Sequence, residues 1–201
     1  MLFGVQWYYW VILVIAIVGA IFLWAKALKS GKARRERLKK EAAIWKRDYE
    51  LREKYSVLTE EKLNSAEEAE LIHAVAMSIQ VALEKATDMT ESFNALPDPK
   101  KFIYALEYFD EDAKQSLSTF FKNNGEPLLS VVPLALNAIG ASKYVEAYGT
   151  LLPMYDPDSE ASVDHSIVAR ADEEFKAIYD SDELCRLCSK YILKNKEIFL
   201  S

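Results

Sequence analysis

Residues 126–140 read Glu-Pro-Leu-Leu-Ser-Val-Val-Pro-Leu-Ala-Leu-Asn-Ala-Ile-Gly, a strongly apolar stretch without a basic residue. It is too short to cross a bilayer, which needs about 20 apolar residues, and two prolines interrupt it. Gly140 follows the last apolar position, as glycine does at many helix ends. We therefore predict that 127–139 form the central buried helix of a folded domain, with Leu134 and Ile139 in its core.

The segments on both sides of this stretch repeat apolar residues at spacings of three and four, the period of an amphipathic helix. One apolar face runs from Leu71 to Leu83, and Asp98-Pro99 has the composition of a helix start. Two further helices are predicted near 163–179 and 182–194. No window alternates at a period of two for long enough to predict a strand. The predicted fold class of this region is all-α.

Polar side chains that accept hydrogen bonds from free backbone amides mark three of the predicted helix starts. Ser65 and Glu68 have the spacing of a capping box. Asp110 is predicted to cap the helix that ends at Asn123-Asn124-Gly125. Residues 153–162 are predicted to form a polar, acidic loop, and Asp164 is predicted to cap the helix that follows it.

The first 25 residues of the chain contain no side chain that is charged at neutral pH. The segment from Trp7 to Ala25 spans 19 residues, or about 28 Å as a helix, which matches the hydrocarbon thickness of a bilayer. Trp7 and Trp10 lie near one end and Trp24 near the other, as aromatic rings do at membrane interfaces. We predict a single transmembrane helix within residues 1–25.

The charges that follow this segment predict its orientation. No Lys or Arg precedes it, whereas eight follow closely: Lys26, Lys29, Lys32, Arg34, Arg35, Arg37, Lys39 and Lys40. The positive-inside rule therefore predicts an inner-membrane protein with its N-terminus outside and everything after residue 25 in the cytoplasm. The predicted membrane-interface residues are Trp7, Trp10, Trp24, Lys26, Lys29, Arg34 and Arg35. Whether the cations also bind anionic lipid headgroups stays an open alternative.

The remaining charges divide the chain into a basic and an acidic part. Residues 26–54 carry 12 Lys and Arg against 5 Asp and Glu, a net charge of +7. Residues 55–201 carry 13 against 26, a net charge of −13. We predict a basic juxtamembrane helix or linker at 26–55 and a compact acidic multi-helix domain at 56–201. An acidic field attracts basic partners, but an acidic surface also keeps a protein soluble, and both interpretations stay open.

The residues that most often carry catalysis or bind metals are few in this chain. There are two histidines and two cysteines, and none stands in a catalytic or metal-ligand motif. His73 is off the apolar face of its helix, so we predict a solvated histidine. Cys185 and Cys188 fall in a helical stripe without a second pair of zinc ligands, and we predict small helix residues. We therefore predict no catalytic residue, no metal site, no cofactor and no enzymatic activity.

Four segments carry a resemblance to a known family. An aromatic segment, Phe120-Phe-Lys-Asn-Asn-Gly-Glu126, ends in Asn and Gly, and Ala135-Leu-Asn-Ala-Ile-Gly-Ala141 ends a helix in Ile-Gly-Ala. An acidic segment follows at Ala171–Tyr179, and the chain finishes with Asn-x-x-x-Phe at 195–199. In these helix ends and core positions the chain resembles the small bacterial DNA-mimic protein family.

The resemblance covers residues 66–199 and carries expectations about function. It implies an all-helical, non-enzymatic domain that is dimeric in the best-known members. Their acidic surface takes the place of DNA phosphates on the basic face of a DNA-binding protein. For this chain it therefore implies a basic protein partner, no direct binding to nucleic acid, and a homodimer as one alternative. Where relatives have an Asn-Gly-Gly turn, this chain has Asn124-Gly125-Glu126.

The predicted function is that of a membrane-anchored cytoplasmic module that binds a basic protein. The predicted contact residues are the densest carboxylates outside the packing positions: Asp156, Asp158, Glu160, Asp172, Glu173 and Glu174. One alternative is an accessory or immunity-type protein that acts on a membrane complex through its anchor. Another is a hydrolase, in which folding would bring a histidine and several carboxylates together in a deep pocket.

Overall fold

The computed structural model describes residues 38, 39, 42, 43, 46, 47, 49–155 and 163–200. The predicted transmembrane segment and all seven predicted membrane-interface residues lie outside these ranges. Within the described ranges, no helix has both the length and the apolar character that a membrane span needs. The chain divides into two units, Met1–Glu50 and Leu51–Ser201. In the first unit, Lys46 pairs with Glu50 at 3.6 Å, and Leu38 is exposed.

The second unit is all-helical in its described residues, and this confirms the predicted fold class of this region. The helices are α1 (Glu60–Ser65), α2 (Glu68–Leu83), α3 (Met89–Asn94), α4 (Asp98–Ala113), α5 (Leu117–Asn123), α6 (Leu128–Ile139), α7 (Lys143–Tyr155), α8 (His165–Ile178), α9 (Ser181–Lys194) and α10 (Lys196–Leu200). The helix α4 begins at Asp98 with Pro99 in its first turn, as the sequence predicts.

Helix α4 lies at the centre of this unit, where it contacts α2, α5, α6, α9 and α10. Its side chains Ile103, Leu106 and Phe109 are fully buried. Burial of side chains of this size stabilises the fold by roughly 1.5–3 kcal/mol each. The main element of the core is therefore α4, and not the helix at 127–139 that the sequence predicts to be central.

Helix α6 has nearly the bounds that the sequence predicts, and Gly140 ends it. Gly140 has a φ of 85°, a left-handed backbone conformation that glycine adopts without strain because it has no Cβ atom. The helix buries Leu129, Val132 and Leu136 against its neighbours, and Ile139 is 7% exposed. The prediction that Leu134 is buried is wrong, because it is 59% exposed on the outer side of the helix.

Aromatic rings join the helices on one side of the core. Phe109 of α4 contacts Phe120 of α5 and Phe175 of α8, with ring centroids 5.4 and 5.9 Å apart. Phe121 lies 4.7 Å from the ring of Tyr148 on α7. The Tyr148 hydroxyl donates a 2.8 Å hydrogen bond to the carbonyl of Leu129, so this buried polar group is satisfied.

Two of the predicted helix caps are wrong. Ser65 is the last residue of α1 and donates to the carbonyl of Lys62, and Glu67 precedes α2 without a capping hydrogen bond from its side chain. Asp110 lies inside α4, and Ser116 caps α5 instead. The predicted cap at Asp164 is confirmed, since its carboxylate accepts from the amide of Ser166 at 2.8 Å.

The residues just before α1 pack on the helical domain. Residues 51–55 are helical, and Tyr55 is only 1% exposed. Arg52 pairs with Glu84 at the end of α2, and Lys54 pairs with Glu70 near its beginning at 3.0 Å. The core of the domain therefore includes a side chain from the segment 26–55, which is predicted as a juxtamembrane helix or linker.

Candidate functional site

Acidic residues from the starts of two helices meet in one open groove. Glu68 is the first residue of α2, Asp180 caps α9, and Asp182 and Glu183 belong to the first turn of α9. These four carboxylates line the groove together with Arg186. We call the four residues Glu68, Asp180, Asp182 and Glu183 the acidic groove.

The four carboxylates have different surroundings. Glu183 pairs with Lys143, and Asp180 accepts a 3.1 Å hydrogen bond from the amide of Glu183 as the cap of α9. Glu68 and Asp182 are exposed. Carboxylates at a helix start are also favoured by the helix dipole. Glu68 and Asp182 are therefore the members of the acidic groove most open to an external cation.

A buried carboxylate holds the turn that carries half of the groove. Asp110 of α4 is 5% exposed, and one of its oxygens accepts from the Tyr179 hydroxyl at 2.5 Å and from the Ser181 hydroxyl at 2.8 Å. Its other oxygen lies 2.6 Å from the ammonium of Lys114. Three donors satisfy this buried charge, as a buried carboxylate requires. We call Asp110, Lys114, Tyr179 and Ser181 the Asp110 hub.

Two more buried side chains fix the backbone beside the groove. The Tyr144 hydroxyl accepts from the amide of Asp180 at 3.1 Å and lies 3.3 Å from its carbonyl oxygen. The Ser189 hydroxyl donates to the carbonyl of Glu68 at 3.0 Å. Both side chains are buried. The backbone at Glu68 and at Asp180 is thus bound to the core on both sides of the groove.

Burial and the Asp110 carboxylate together set the pKa values of Tyr179 and Lys114. Burial and the bond to Asp110 raise the pKa of the Tyr179 hydroxyl well above its usual value, so it stays a proton donor. Burial, the largest single effect, would lower the pKa of the Lys114 ammonium, but the hydrogen bond to Asp110 and the charge interactions with Asp110 and its neighbours together raise this pKa. Tyr179 and Lys114 therefore both stay protonated at neutral pH.

Both cysteines lie in α9, which confirms that they are helix residues. Cys188 is fully buried and Cys185 half-buried, and neither forms a disulfide. Burial raises the pKa of each thiol, that of Cys188 by more. Thiols with raised pKa values form little thiolate and react slowly.

The six carboxylates predicted as partner contacts have three kinds of position. Asp156, Asp158 and Glu160 lie outside the described residues. Glu173 and Glu174 are exposed on α8. Asp172 is half-buried and accepts from the amide of Ser118 at 2.8 Å and from its hydroxyl at 2.7 Å. Asp172 therefore has a structural role at the first turn of α5.

Asp172 and Glu173 also line a surface pocket of about 230 Å³, together with Lys114, Lys176 and Tyr179. The pocket thus lies beside the Asp110 hub and mixes carboxylates with ammonium groups. The structure brings two of the predicted contact residues to one place, although neither belongs to the acidic groove.

His73 is half-buried, so the prediction of a solvated histidine is wrong. Its Nδ1 lies 2.5 Å from a carboxylate oxygen of Glu107 on α4. Both residues line a pocket of about 80 Å³ with Glu111, far smaller than the roughly 300 Å³ of a typical ligand site. His165 is exposed at the start of α8. In the described ranges, no group of three or more His, Cys, Asp or Glu side chains could hold a metal ion.

Sequence reasoning missed both the acidic groove and the Asp110 hub. The signals for the groove are the Glu67-Glu68 pair and the dense run Asp180-Ser-Asp-Glu183, but only folding shows that they face one groove. The signal for the hub is helical spacing, because Asp110 follows Leu106 by four positions and precedes Ala113 by three. That spacing puts the aspartate on the buried face of α4.

Comparison with known proteins places this fold in a family. Neither the curated proteins nor the solved structures give a match to the chain. A family model described as DMP19-like protein matches residues 94–195, which extend from the end of α3 to the end of α9 and form half of the chain. These residues include the Asp110 hub and three of the four members of the acidic groove. The chain belongs to the DMP19-like protein family.

Proposed function

We propose that the acidic helical domain of this chain binds a basic protein partner. The observation that carries the proposal is the acidic groove, in which folding adds the carboxylate of Glu68 to three carboxylates from the start of α9. The domain around it is strongly acidic, since residues 55–201 carry a net charge of −13. Four carboxylates against one guanidinium, that of Arg186, leave the groove with an excess of negative charge. Such an excess attracts partners of the opposite charge.

The groove favours a partner that presents Arg or Lys side chains. Carboxylates form charge-assisted hydrogen bonds with guanidinium and ammonium groups, and these bonds are about twice as strong as neutral ones. Lys143 already pairs with Glu183, and Arg186 lies in the groove. A partner's cations therefore bind first at Glu68 and Asp182.

In its more specific form, the proposal is that the domain acts as a DNA mimic. Membership in the DMP19-like family and the sequence resemblance to DNA-mimic proteins support this form. DNA-binding proteins make at least half of their DNA hydrogen bonds to phosphate and sugar, many of them from Arg and Lys. Carboxylates in the groove would bind those Arg and Lys side chains in place of phosphates. DNA would then compete with the domain for the partner. A homodimer would present two such grooves.

The site of action that we propose is the inner face of the membrane. The sequence of residues 1–25 and the cations that follow it support an anchor with the acidic domain in the cytoplasm. An accessory or immunity-type protein that works through its anchor is the alternative from a different class. A pull-down with and without residues 1–25 distinguishes the two, because only the alternative loses its partner when the anchor is removed.

The experiment that tests the proposal starts with crosslinking in cells and identification of the captured partner. Its affinity is then measured for the double variant Glu68→Gln, Asp182→Asn. The matched control is Glu91→Gln, Glu146→Gln, which removes two exposed carboxylates that also lie in first turns of helices but outside the groove. We expect the first variant to bind at least tenfold more weakly, since two charged contacts are lost. Equal affinities of the two variants would contradict the proposal.

A further inference from the structure

We propose that Asp110 is a positioning residue that fixes the turn between α8 and α9 and thereby the arrangement of the acidic groove. The inference rests on the proposed function, because it assigns a role to a buried residue of the same site. Asp110 contributes no surface charge to the groove. It acts through Tyr179 and Ser181, the two neighbours of Asp180.

Asp110 forms hydrogen bonds with the residues on both sides of Asp180 in this turn. Tyr179 is the C-cap residue that follows the end of α8 at Ile178, and its backbone is extended rather than helical. Asp180 is extended as well, and α9 begins at Ser181. The backbone thus leaves the helical conformation at two successive residues, although the Tyr179 amide still donates to the carbonyl of Phe175 at 2.8 Å and the Asp180 carbonyl accepts from the amide of Leu184 at 3.0 Å. The hydroxyls on both sides of Asp180 converge on one carboxylate oxygen, at 2.5 and 2.8 Å.

Asp110 comes from the central helix of the core, far away in the chain. Its contact with Tyr179 joins residues 69 positions apart, and its contact with Ser181 joins residues 71 apart. Hydrogen bonds to a charged group are stronger than neutral ones, and leaving a buried partner unpaired has an additional cost. The turn is therefore fixed to the central helix of the core.

The aromatic side chains keep the turn packed when the hydroxyl is removed. The Tyr179 ring lies 4.9 Å from the ring of Phe175 and 5.7 Å from that of Tyr144, centroid to centroid. A Tyr179→Phe change keeps these rings in place and leaves the net charge of the protein unchanged. This variant therefore removes the hydroxyl and its contacts with Asp110 and Ser181. Asp110→Asn additionally alters the charge and the pairing of Lys114.

Amide hydrogen exchange on the full chain in detergent micelles tests the structural part of the inference. The amide of Asp180, which donates to Tyr144, reports directly on the turn. In Tyr179→Phe and Asp110→Asn we expect it to exchange about tenfold faster, while the amides in the middle of α4 change much less. The control is Tyr191→Phe, which removes a hydroxyl from the other end of α9, where the ring packs on Phe102. Unchanged or uniformly increased exchange in Tyr179→Phe would overturn the inference.

Binding of an octa-arginine peptide at low salt tests the functional part. We expect Tyr179→Phe to bind roughly threefold to tenfold more weakly than the wild type, although no charge differs, because a mobile site must be ordered on binding. The Tyr191→Phe control should bind like the wild type. A mobile turn with unchanged affinity would show that Asp110 supports the fold but does not position the groove. If the wild-type protein does not bind the peptide at all, the proposed function fails, and the exchange rates alone decide whether Asp110 fixes the turn.

Discussion

The carboxylate of Asp172 on α8 accepts two hydrogen bonds from Ser118 on α5, one from the backbone amide at 2.8 Å and one from the hydroxyl at 2.7 Å. The amides in the first turn of a helix have no partner within the helix. Asp172 therefore satisfies the Ser118 amide from a position 54 residues away, in addition to the cap that Ser116 provides for the Thr119 amide. Asp172 thus has a structural role that the exposed carboxylates of Glu173 and Glu174 do not share.

We predict that Asp172→Ala lowers the free energy of unfolding by about 1–3 kcal/mol, since it leaves Ser118 without its acceptor. Glu173→Ala is the matched control, because Glu173 is exposed on the same helix, and we expect a change within about 0.5 kcal/mol. Chemical denaturation of both variants measures the difference. Equal stabilities would show that the Asp172 contact contributes little to the fold.

The two leucines Leu134 and Leu136 give a test of the packing of α6. Leu136 is fully buried, whereas Leu134 is 59% exposed. We predict that Leu136→Asp unfolds the domain, because an unpaired charge in a packed core costs several kcal/mol. Leu134→Asp should keep the circular dichroism spectrum and nearly the melting temperature of the wild type. Unfolding by both changes would mean that the outer side of α6 is covered in solution.

Tyr55 tests where the folded domain begins. Its ring is 1% exposed, although it precedes the first complete helix of the domain. We predict that Tyr55→Ala destabilises the domain by about 2–4 kcal/mol, as other large-to-small changes in cores do. Val57→Ala is the control, because Val57 is 66% exposed. A melting temperature unaffected by Tyr55→Ala would place the start of the domain after residue 56.

The orientation in the membrane is a prediction from sequence alone. We expect a reporter enzyme fused after Ser201 to behave as cytoplasmic. Replacement of most of the eight cations between Lys26 and Lys40 by Gln should weaken or mix the orientation, because these charges carry the topology signal. Digestion of the C-terminal domain by a protease added outside intact cells would contradict the prediction.

Local sequence patterns predict most of the longer helices but not their environment, and they do not predict the short helices α1, α3 and α10. The bounds of α6 follow from its apolar residues, Pro127 and Gly140, which act within a few positions of each other. The exposure of Leu134 depends instead on which helices surround α6, and the spacing of its apolar residues does not contain that information. Asp110 is a different case, because its spacing from Leu106 and Ala113 is compatible with a buried position inside α4, whereas aspartate is also a common helix cap.

The candidate site was harder to predict than the fold, because both of its parts join distant residues. Glu68 and Asp182 lie 114 positions apart in the chain, and their common groove results from the packing of α9 on α2. The predicted contact residues Glu173 and Glu174 are exposed as expected, since acidic side chains of a surface helix face water. Net charge therefore predicts an acidic surface, but not where the carboxylates converge.

The most direct test of the proposed function uses the partner that crosslinking in cells identifies. The affinity of the purified chain for this partner is measured at salt concentrations from low to high. The account predicts that binding weakens steeply with salt, because the Debye length falls from about 10 Å at 0.1 M to about 3 Å at 1 M. It also predicts a smaller dependence on salt for Glu68→Gln, Asp182→Asn. An affinity that does not change with salt and survives both substitutions would contradict binding through the acidic groove.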